Sequence, residues 1–270
     1  MEIPTERSTT NRLRAIEQWL LEDRQVETST LAEAFGVSAV TVRRYLTDLE
    51  ERGIARRTHG GAVLVESSFT MPSYLDRQAA QRSEKLAIAR QAAKLVPEAG
   101  VLVLGGGTTT LEVMAHLAGR SELTILTSNL AAAAQTRAGG ARVVVLGGEV
   151  RGQDCAMVGE FARMTLATRY PDVTIIGADG LAVPEGLTST DEQERELVQL
   201  TLERARTRRI CVADHTKLGV VAPYVVAGTE ALTDLVTDDG ASAEVIEEFR
   251  ASGVRVHVAS TSNSSGPEPV

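Results

Sequence analysis

The apolar positions of this chain follow two rhythms. In the first 50 residues they recur every three or four positions: Leu13, Ile16, Trp19 and Leu20, then Leu31, Ala32 and Phe35, then Val42, Leu46 and Leu49. That spacing puts each set on one face of a helix, so three amphipathic helices are expected. Ser29 or Thr30 is placed to cap the second, with Glu33 positioned to reach back. Gly36 supplies a left-handed residue to end it, Val37 plugs the corner, and Ser38 caps the third helix. Gly53 is expected to stop that helix, and the run from Ile54 to Val65 then reads as strand, Gly-rich turn and strand around Thr58-His59-Gly60-Gly61.

A polar stretch, ESSFTMPS from Glu66 to Ser73, has no periodicity and reads as a linker. One long helix is expected from Tyr74 to Leu95. From Val101 short apolar runs alternate with helical stretches. The runs are VLVL, LTIL, RVVVLGG, VTIIGAD, RICVAD, LTDLVTD and VRVHVA, with helices expected from Leu111, Leu130, Asp191 and Ala243. This alternation predicts an open α/β domain with a mainly parallel sheet. The tail after Ala259, STSNSSGPEPV, is Ser/Pro-rich and reads as disordered. The expected organisation is a winged helix-turn-helix domain at 9–65, a linker at 66–73, an α/β domain at 74–259, and a disordered tail at 260–270.

Composition sharpens this picture in three places. Aromatic residues are only 3% of a chain that is 43% hydrophobic, so the cores must be built from Val, Leu, Ile and Ala, as suits a parallel sheet covered by helices. The two cysteines, Cys155 and Cys211, lack zinc-ligand spacing, and two are too few for a disulfide framework; they read as reduced thiols of a cytoplasmic protein. No stretch reaches the length of a membrane span. The net charge of −8 excludes indiscriminate polycationic binding to DNA. Specific contact through a local patch remains open, with two half-sites read together by a dimer.

The third helix carries the first candidate chemistry. Thr41, Arg43, Arg44 and Tyr45 lie off the apolar stripe near its start, where a recognition helix presents side chains to the major groove. Ser38 joins them at the N-terminus. Arginine suits guanine edges and phosphates. Arg56, Arg57 and His59 would sit on the wing, against phosphates or in the minor groove. The competing reading is a plain helical hairpin with solvated arginines. The run TVRRYLTDLEERGIARRTHGGA resembles the signature of the DeoR/GlpR-type bacterial transcriptional repressors, with the paired arginines and the closing His-Gly-Gly-Ala in place. That family usually has Asp after the paired arginines, where this chain has Tyr45.

The second candidate site follows from where ligands sit in open α/β sheets, beyond the carboxyl ends of the strands. After VLVL come Gly105-Gly106-Gly107-Thr108-Thr109-Thr110, which open a helix: turned-in amides, hydroxyls and a helix N-terminus suited to an anion such as phosphate. No Lys follows the glycines, so this is not a nucleotide-triphosphate loop. Ser128 and Asn129, Gly148 and Glu149, Asp179, and the Asp214-His215-Thr216-Lys217 run stand after the other strands. Together they describe a pocket for a small polyol phosphate.

These motifs extend the resemblance to the DeoR-type sensor domain, with Asp191 and Glu194 of STDEQE also matching. The family domain is similar to ribose-5-phosphate isomerase. The resemblance implies a phosphorylated sugar or polyol effector, a homodimer or homotetramer, repression of carbohydrate catabolism genes, and no cofactor or catalytic residue. An active isomerase using Asp179, Asp191, Glu194 and Lys217 as acid and base groups is the competing class. Gly105 stands where the family usually has Asp, Val198-Gln199 where it often has Lys-Arg, and Leu218 where it has Phe.

Overall fold

The computed structural model describes residues 12–13, 15–16, 19–20, 23, 25–51, 55–58, 60–64, 74–151 and 155–263. Gly53, His59, the expected linker and the last seven residues lie outside them, and so does the side chain of Arg56. The chain divides into two compact units, 1–71 and 72–270.

In the first unit, helical residues at 12–13, 15–16 and 19–20 precede β1 (Gln25–Glu27), α1 (Thr28–Phe35), α2 (Ala39–Glu51), β2 (Ala55–Arg57) and β3 (Gly61–Leu64). Ile16, Leu20, Leu31, Val42, Leu46 and Leu49 are buried together, as their spacing requires. Trp19 packs on this core and stacks on Phe35, ring centroids 5.8 Å apart. Gly36 adopts φ 60° and closes α1, and the Ser38 hydroxyl accepts the Thr41 N–H at 3.2 Å to cap α2. One expectation is corrected. Ser29 does not cap α1, because the helix starts a residue earlier: Glu27 holds the N-cap position, and the Thr28 N–H donates to Gly60 O. The cause is β1, which pairs antiparallel with β3 and makes the wing a three-stranded sheet of order β1-β3-β2. Three residues are too short a run to show a strand period. Gly61 permits the pairing, since a Cβ there would sit 1.9 Å from Val26 O.

The second unit is built on a seven-stranded sheet, all of whose pairings are parallel. Its strands are β4 (Gly100–Leu104), β5 (Leu123–Thr127), β6 (Arg142–Val145), β9 (Val173–Ile176), β12 (Arg208–Val212), β14 (Asp234–Asp238) and β15 (Arg255–Ala259). Smaller antiparallel pieces intervene: the hairpin β7 (Glu149–Arg151) and β8 (Ala156–Val158), and a sheet of β10 (Gly180–Ala182), β11 (Gly186–Ser189) and β13 (Tyr224–Ala227). The large sheet runs β15-β14-β12-β9-β4-β5-β6. Chain order therefore reverses between β4 and β9, and a crevice opens at the carboxyl ends of those two strands.

The expected helix at 74–95 is two helices, α3 (Tyr74–Ala79) and α4 (Arg82–Ala93), broken where Gln81 takes φ 50°. Because α4 precedes β4 and packs along the sheet, its start lies at the carboxyl edge. The remaining helices are α5 (Thr108–Leu117), α6 (Leu130–Ala133), α7 (Glu160–Ala167), α8 (Glu192–Arg204) and α9 (Ala243–Ala251). Apolar side chains of α4 and α5 pack with Leu102, Leu104, Ile125, Ile175 and Val212 to form the largest core. On the other face Leu166 and Leu197 cover Val103 and Leu126.

The opposite, amino edge holds a buried charge. Asp234 accepts hydrogen bonds from Arg255 (2.9 and 3.1 Å) and Thr233 (2.7 Å) and pairs with His257 Nε2 at 2.9 Å. Burial opposes its ionisation, but the bonds from Arg255, His257 and Thr233 outweigh it and hold the pKa at about 2. A depressed folded-state pKa stabilises the protein above the ordinary carboxylate range and loses that contribution as pH falls toward 2. Asp234→Asn is expected to destabilise the second unit by about 1–2 kcal/mol at neutral pH. The deficit should shrink as pH is lowered from about 4 toward 2, a trend that urea melts across that range would measure.

Candidate functional site

On α2 the stripe Val42, Tyr45, Leu46 and Leu49 faces inward, and Val40, Arg43 and Arg44 face solvent. Tyr45 was expected on the exposed face and is corrected here: it is 3% exposed, and Arg12 Nη1 donates to its hydroxyl at 3.4 Å. The reason is geometric, because position 45 is three residues after Val42 and lies on the same helical face. Neither Arg43 nor Arg44 has a side-chain partner among the described residues. Ser38 is exposed and Thr41 half-buried, and their hydroxyls lie 3.0 Å apart. Arg57 is exposed and ties the wing to α2: its N–H donates to Glu50 Oε1 at 2.9 Å and its guanidinium to Thr47 Oγ1 at 3.1 Å. Arg56 lies on β2 opposite Val63. Sequence reasoning passed over Val40, which is 72% exposed at the start of α2 and presents an apolar side chain on the same exposed side as the arginines.

The carboxyl-edge crevice brings the second set together in part. Gly105 leaves β4 and donates to Ile175 O at 2.9 Å, so the two strands at the chain reversal are joined at the turn. Gly107 then takes φ 107° and opens α5, whose first-turn amides have no helical carbonyl to meet. Thr108 and Thr109 lie on this turn, 7% and 8% exposed. Thr110 departs from expectation. Its hydroxyl is buried within 2.9–3.0 Å of the carbonyls of Gly105, Gly106 and Gly107, and so holds the turn together and does not face a ligand. Asn129 is likewise committed, accepting from Ala132 N–H at 3.1 Å as the cap of α6 and donating to Gly107 O at 2.8 Å. It staples the β5 loop to the β4 loop.

Gly106, rather than its neighbours, faces the convergence: a Cβ there would lie 3.4–3.8 Å from Ala156, Glu194 Oε1 and Ser128 Oγ. The enclosed gap beneath this turn, lined by Gly105, Gly106, Ser128, Ala156, Glu194 and Thr201, is about 10 Å³. That is room for roughly one water and for no sugar.

Glu194 and Asp191 meet a residue that sequence reasoning missed. The hairpin strand β7 carries Arg151, whose guanidinium reaches Asp191 Oδ2 at 2.5 Å and Glu194 Oε2 at 2.9 Å. Asp191 also caps α8, accepting from the Glu194 N–H at 2.8 Å. The signal available in sequence was only a lone Arg three residues past Gly148. Gly148 and Glu149 do not line the gap: Gly148 makes room for Val158 O, which a Cβ would meet at 2.3 Å, and Glu149 is exposed. Asp179 anchors the loop after β11, accepting from Thr190 N and Oγ1, each at 2.8 Å, and from Ser189 Oγ at 3.3 Å. Lys217 ends the short 3-10 turn after β12, which is capped by the buried Asp214, and His215 Nδ1 pairs with Asp238 Oδ2 at 2.7 Å. Among the described residues no cluster of His, Cys, Asp and Glu could hold a metal ion, and no helix is long and apolar enough to cross a membrane.

Comparison with known proteins bears on both units. Residues 12–68 match the DeoR-like helix-turn-helix domain, and residues 80–239 the DeoR C terminal sensor domain. The glycerol-3-phosphate regulon repressor of Escherichia coli K12 is 33% identical over 231 residues, 85% of this chain and 90% of that protein. The HTH-type transcriptional regulator GolR of Listeria innocua is 30% identical over 239 residues, 88% and 94% of the two chains. The transcriptional repressor AccR of Agrobacterium fabrum is 33% identical over 234 residues, 86% and 91%. Ribose 5-phosphate isomerase A of Methanocaldococcus jannaschii superposes on 50% of this chain and 53% of its own at 18% identity, with a TM-score of 0.37, too low for any argument to rest on it. The family and these relatives are regulators, which sets aside the isomerase alternative. An exposed arginine pair on a winged helix-turn-helix and a matching sensor domain over most of the remaining chain lead to one assignment: the chain belongs to the DeoR family and is a DNA-binding transcriptional regulator.

Proposed function

We propose that this regulator represses carbohydrate catabolism genes and that a phosphorylated sugar or polyol relieves the repression. The observation that carries the DNA half is the exposed, partnerless pair Arg43 and Arg44 at the start of a helix whose other face is fully buried. In this reading α2 enters the major groove. Arg43 and Arg44 meet guanine edges or phosphates, Val40 meets a thymine methyl, and Ser38 and Thr41 contact the backbone. Arg57, with Arg56 and His59, sets the wing against the neighbouring phosphates. Two copies read two half-sites, as a homodimer or homotetramer.

The effector half is supported by the turn at Gly105–Thr110, which lies at the reversal of strand order and ends in a helix N-terminus. The gap beneath the turn is too small for a sugar, so the effector lies over its outer rim, between the amides of Gly107, Thr108 and Thr109, Ser128, and Lys217 on the loop after β12. Asp191, Glu194 and Arg151 fix the hairpin wall beside it. The names of the relatives fit: one represses a glycerol-3-phosphate regulon.

The test is a gel shift on the chain's own upstream region with a panel of sugar and polyol phosphates. Retarded DNA released by one phosphorylated compound, and not by its unphosphorylated parent, is the expected result. Failure to retard genomic DNA would overturn the reading of α2, and release by the unphosphorylated sugar would overturn the anion site.

A further inference from the structure

At the amino edge of the large sheet three neighbouring strands begin with charged residues: β12 with Arg208, β14 with Asp234 and β15 with Arg255. Strand β14 lies between the other two, so the buried Asp234 carboxylate has a guanidinium on each side. Arg255 donates to it through Nε at 3.1 Å and Nη2 at 2.9 Å, and Arg208 Nε lies 4.0 Å from Oδ2. Arg208 Nη1 also donates to Leu95 O at 3.3 Å, just past the end of α4. Both side chains are thus fixed from behind. A guanidinium carries five N–H donors. Among the described residues Arg255 uses two of them and Arg208 one, so most of the donors are left over on groups already held in place.

These two residues line an open groove of about 550 Å³, together with Lys94, Leu95, Pro97 and Thr207. Lys94 is exposed and donates to the neutral Gln91 Oε1 at 3.3 Å. Three cations therefore line the groove, and no carboxylate does. The neighbouring acids are engaged. Asp234 lies under the two guanidiniums, Asp172 accepts the Val101 N–H at 2.9 Å, and Glu98 is 3.7 Å from Arg120. With these included, four cations (Lys94, Arg120, Arg208, Arg255) stand against three carboxylates (Glu98, Asp172, Asp234), so positive charge is still in excess. The carbonyls at the end of α4 are the other negative feature. Arg120 donates to Ala93 O and Val96 O, and Arg208 to Leu95 O, which screens that end of the helix.

We propose that this groove is a second anion site, which takes the phosphate or diphosphate group of a small molecule at the edge of the sheet opposite the glycine turn. Its volume is in the range of small-molecule sites, about 300–1,000 Å³. The planar forks of Arg208 and Arg255 match phosphate oxygens in pairs, and Lys94 adds a point charge. Because Asp234 and Leu95 O already hold the forks, binding freezes few free rotors and costs correspondingly less entropy. The site shares no residue with the crevice and stands whether or not the effector binds there. A DNA backbone offers the same phosphate chemistry, and the experiment separates the two sources.

Calorimetry on the full-length chain tests this, with inorganic pyrophosphate as the probe at low salt and sodium chloride of equal ionic strength as the control. A saturable binding event is expected that survives Lys217→Gln, weakens on the order of tenfold in Lys94→Glu and in Arg208→Gln, and fades as salt is added. Lys94 is exposed and its partner is neutral, so Lys94→Glu decides the matter even if Arg208→Gln folds poorly. Absence of saturable binding at millimolar pyrophosphate would overturn the site. So would equal binding by the parent and Lys94→Glu; if Lys217→Gln then abolished it, the anion lies in the crevice. Anisotropy titrations of operator complete the test. Lys94→Glu should bind operator like the parent when no pyrophosphate is present, and a loss of operator affinity would assign the groove to DNA and end the small-molecule reading. None of these outcomes at Lys94 touches the effector reading of the crevice.

Discussion

Protein carrying Arg43→Ala and Arg44→Ala should lose at least about a hundredfold in operator affinity while its circular dichroism and melting temperature stay unchanged. Both side chains are exposed and make no hydrogen bond or ion pair among the described residues, so their removal should cost the fold little, whereas Tyr45, one position on, is buried. One bidentate contact to a base contributes about 1–3 kcal/mol of discrimination, and a dimer repeats each loss on two half-sites. Anisotropy titrations of the single variants at several salt concentrations separate the two roles. An arginine on phosphate lowers the salt dependence when removed and weakens all sequences alike, whereas one on a guanine relaxes preference at a single base pair. If the double variant occupied operator as tightly as the parent, α2 would not be the reading element.

The second large effect is expected at Arg151. Its guanidinium is 17% exposed and bridges Asp191 and Glu194, themselves 34% and 24% exposed. Arg151→Met leaves two carboxylates facing one another in a partly dry cleft without their cation. Breaking a buried pair from one side costs about 3–5 kcal/mol, and the partial exposure here reduces that to about 2–3 kcal/mol. Chemical denaturation at neutral pH measures the loss. Adding Glu194→Gln to Arg151→Met should return part of it, because one of the stranded charges is gone. Equal stability of Arg151→Met and the parent would show that the hairpin is pinned by other contacts.

The two variants mark where sequence was and was not sufficient. Helix faces were legible because their period is short and every position votes: Val42, Leu46 and Leu49 located the core of α2 and left Arg43 and Arg44 outside. The same rule, applied one position further, would have put Tyr45 inside; its polar tip and its place beside the arginines obscured that. The alternation of apolar runs and helices likewise disclosed the parallel sheet, whose strands match the runs it predicted. Strands β1, β7 and β8 escaped because three residues carry no period. The break at Gln81 escaped because a glutamine in the left-handed region is set by its surroundings and not by propensity. At the crevice two of the residues named from sequence have structural tasks. Thr110 and Asn129 bind the loops to each other, and the guanidinium that organises the acidic pair arrives from a hairpin 40 residues earlier in the chain than Asp191, a distance no local pattern spans.

The two cysteines differ in a way that bears on handling this molecule. Cys211 lies wholly inside β12, and burial pushes its thiol up to about 12, whereas Cys155 is only partly covered, with its carbonyl bonded to the start of α6. A thiol reagent needs the thiolate and a path to it. Native protein should therefore be labelled at a single sulfur, beside the glycine turn, without any engineering, and a change in emission of a dye placed there on adding a sugar phosphate would test the proposed effector rim.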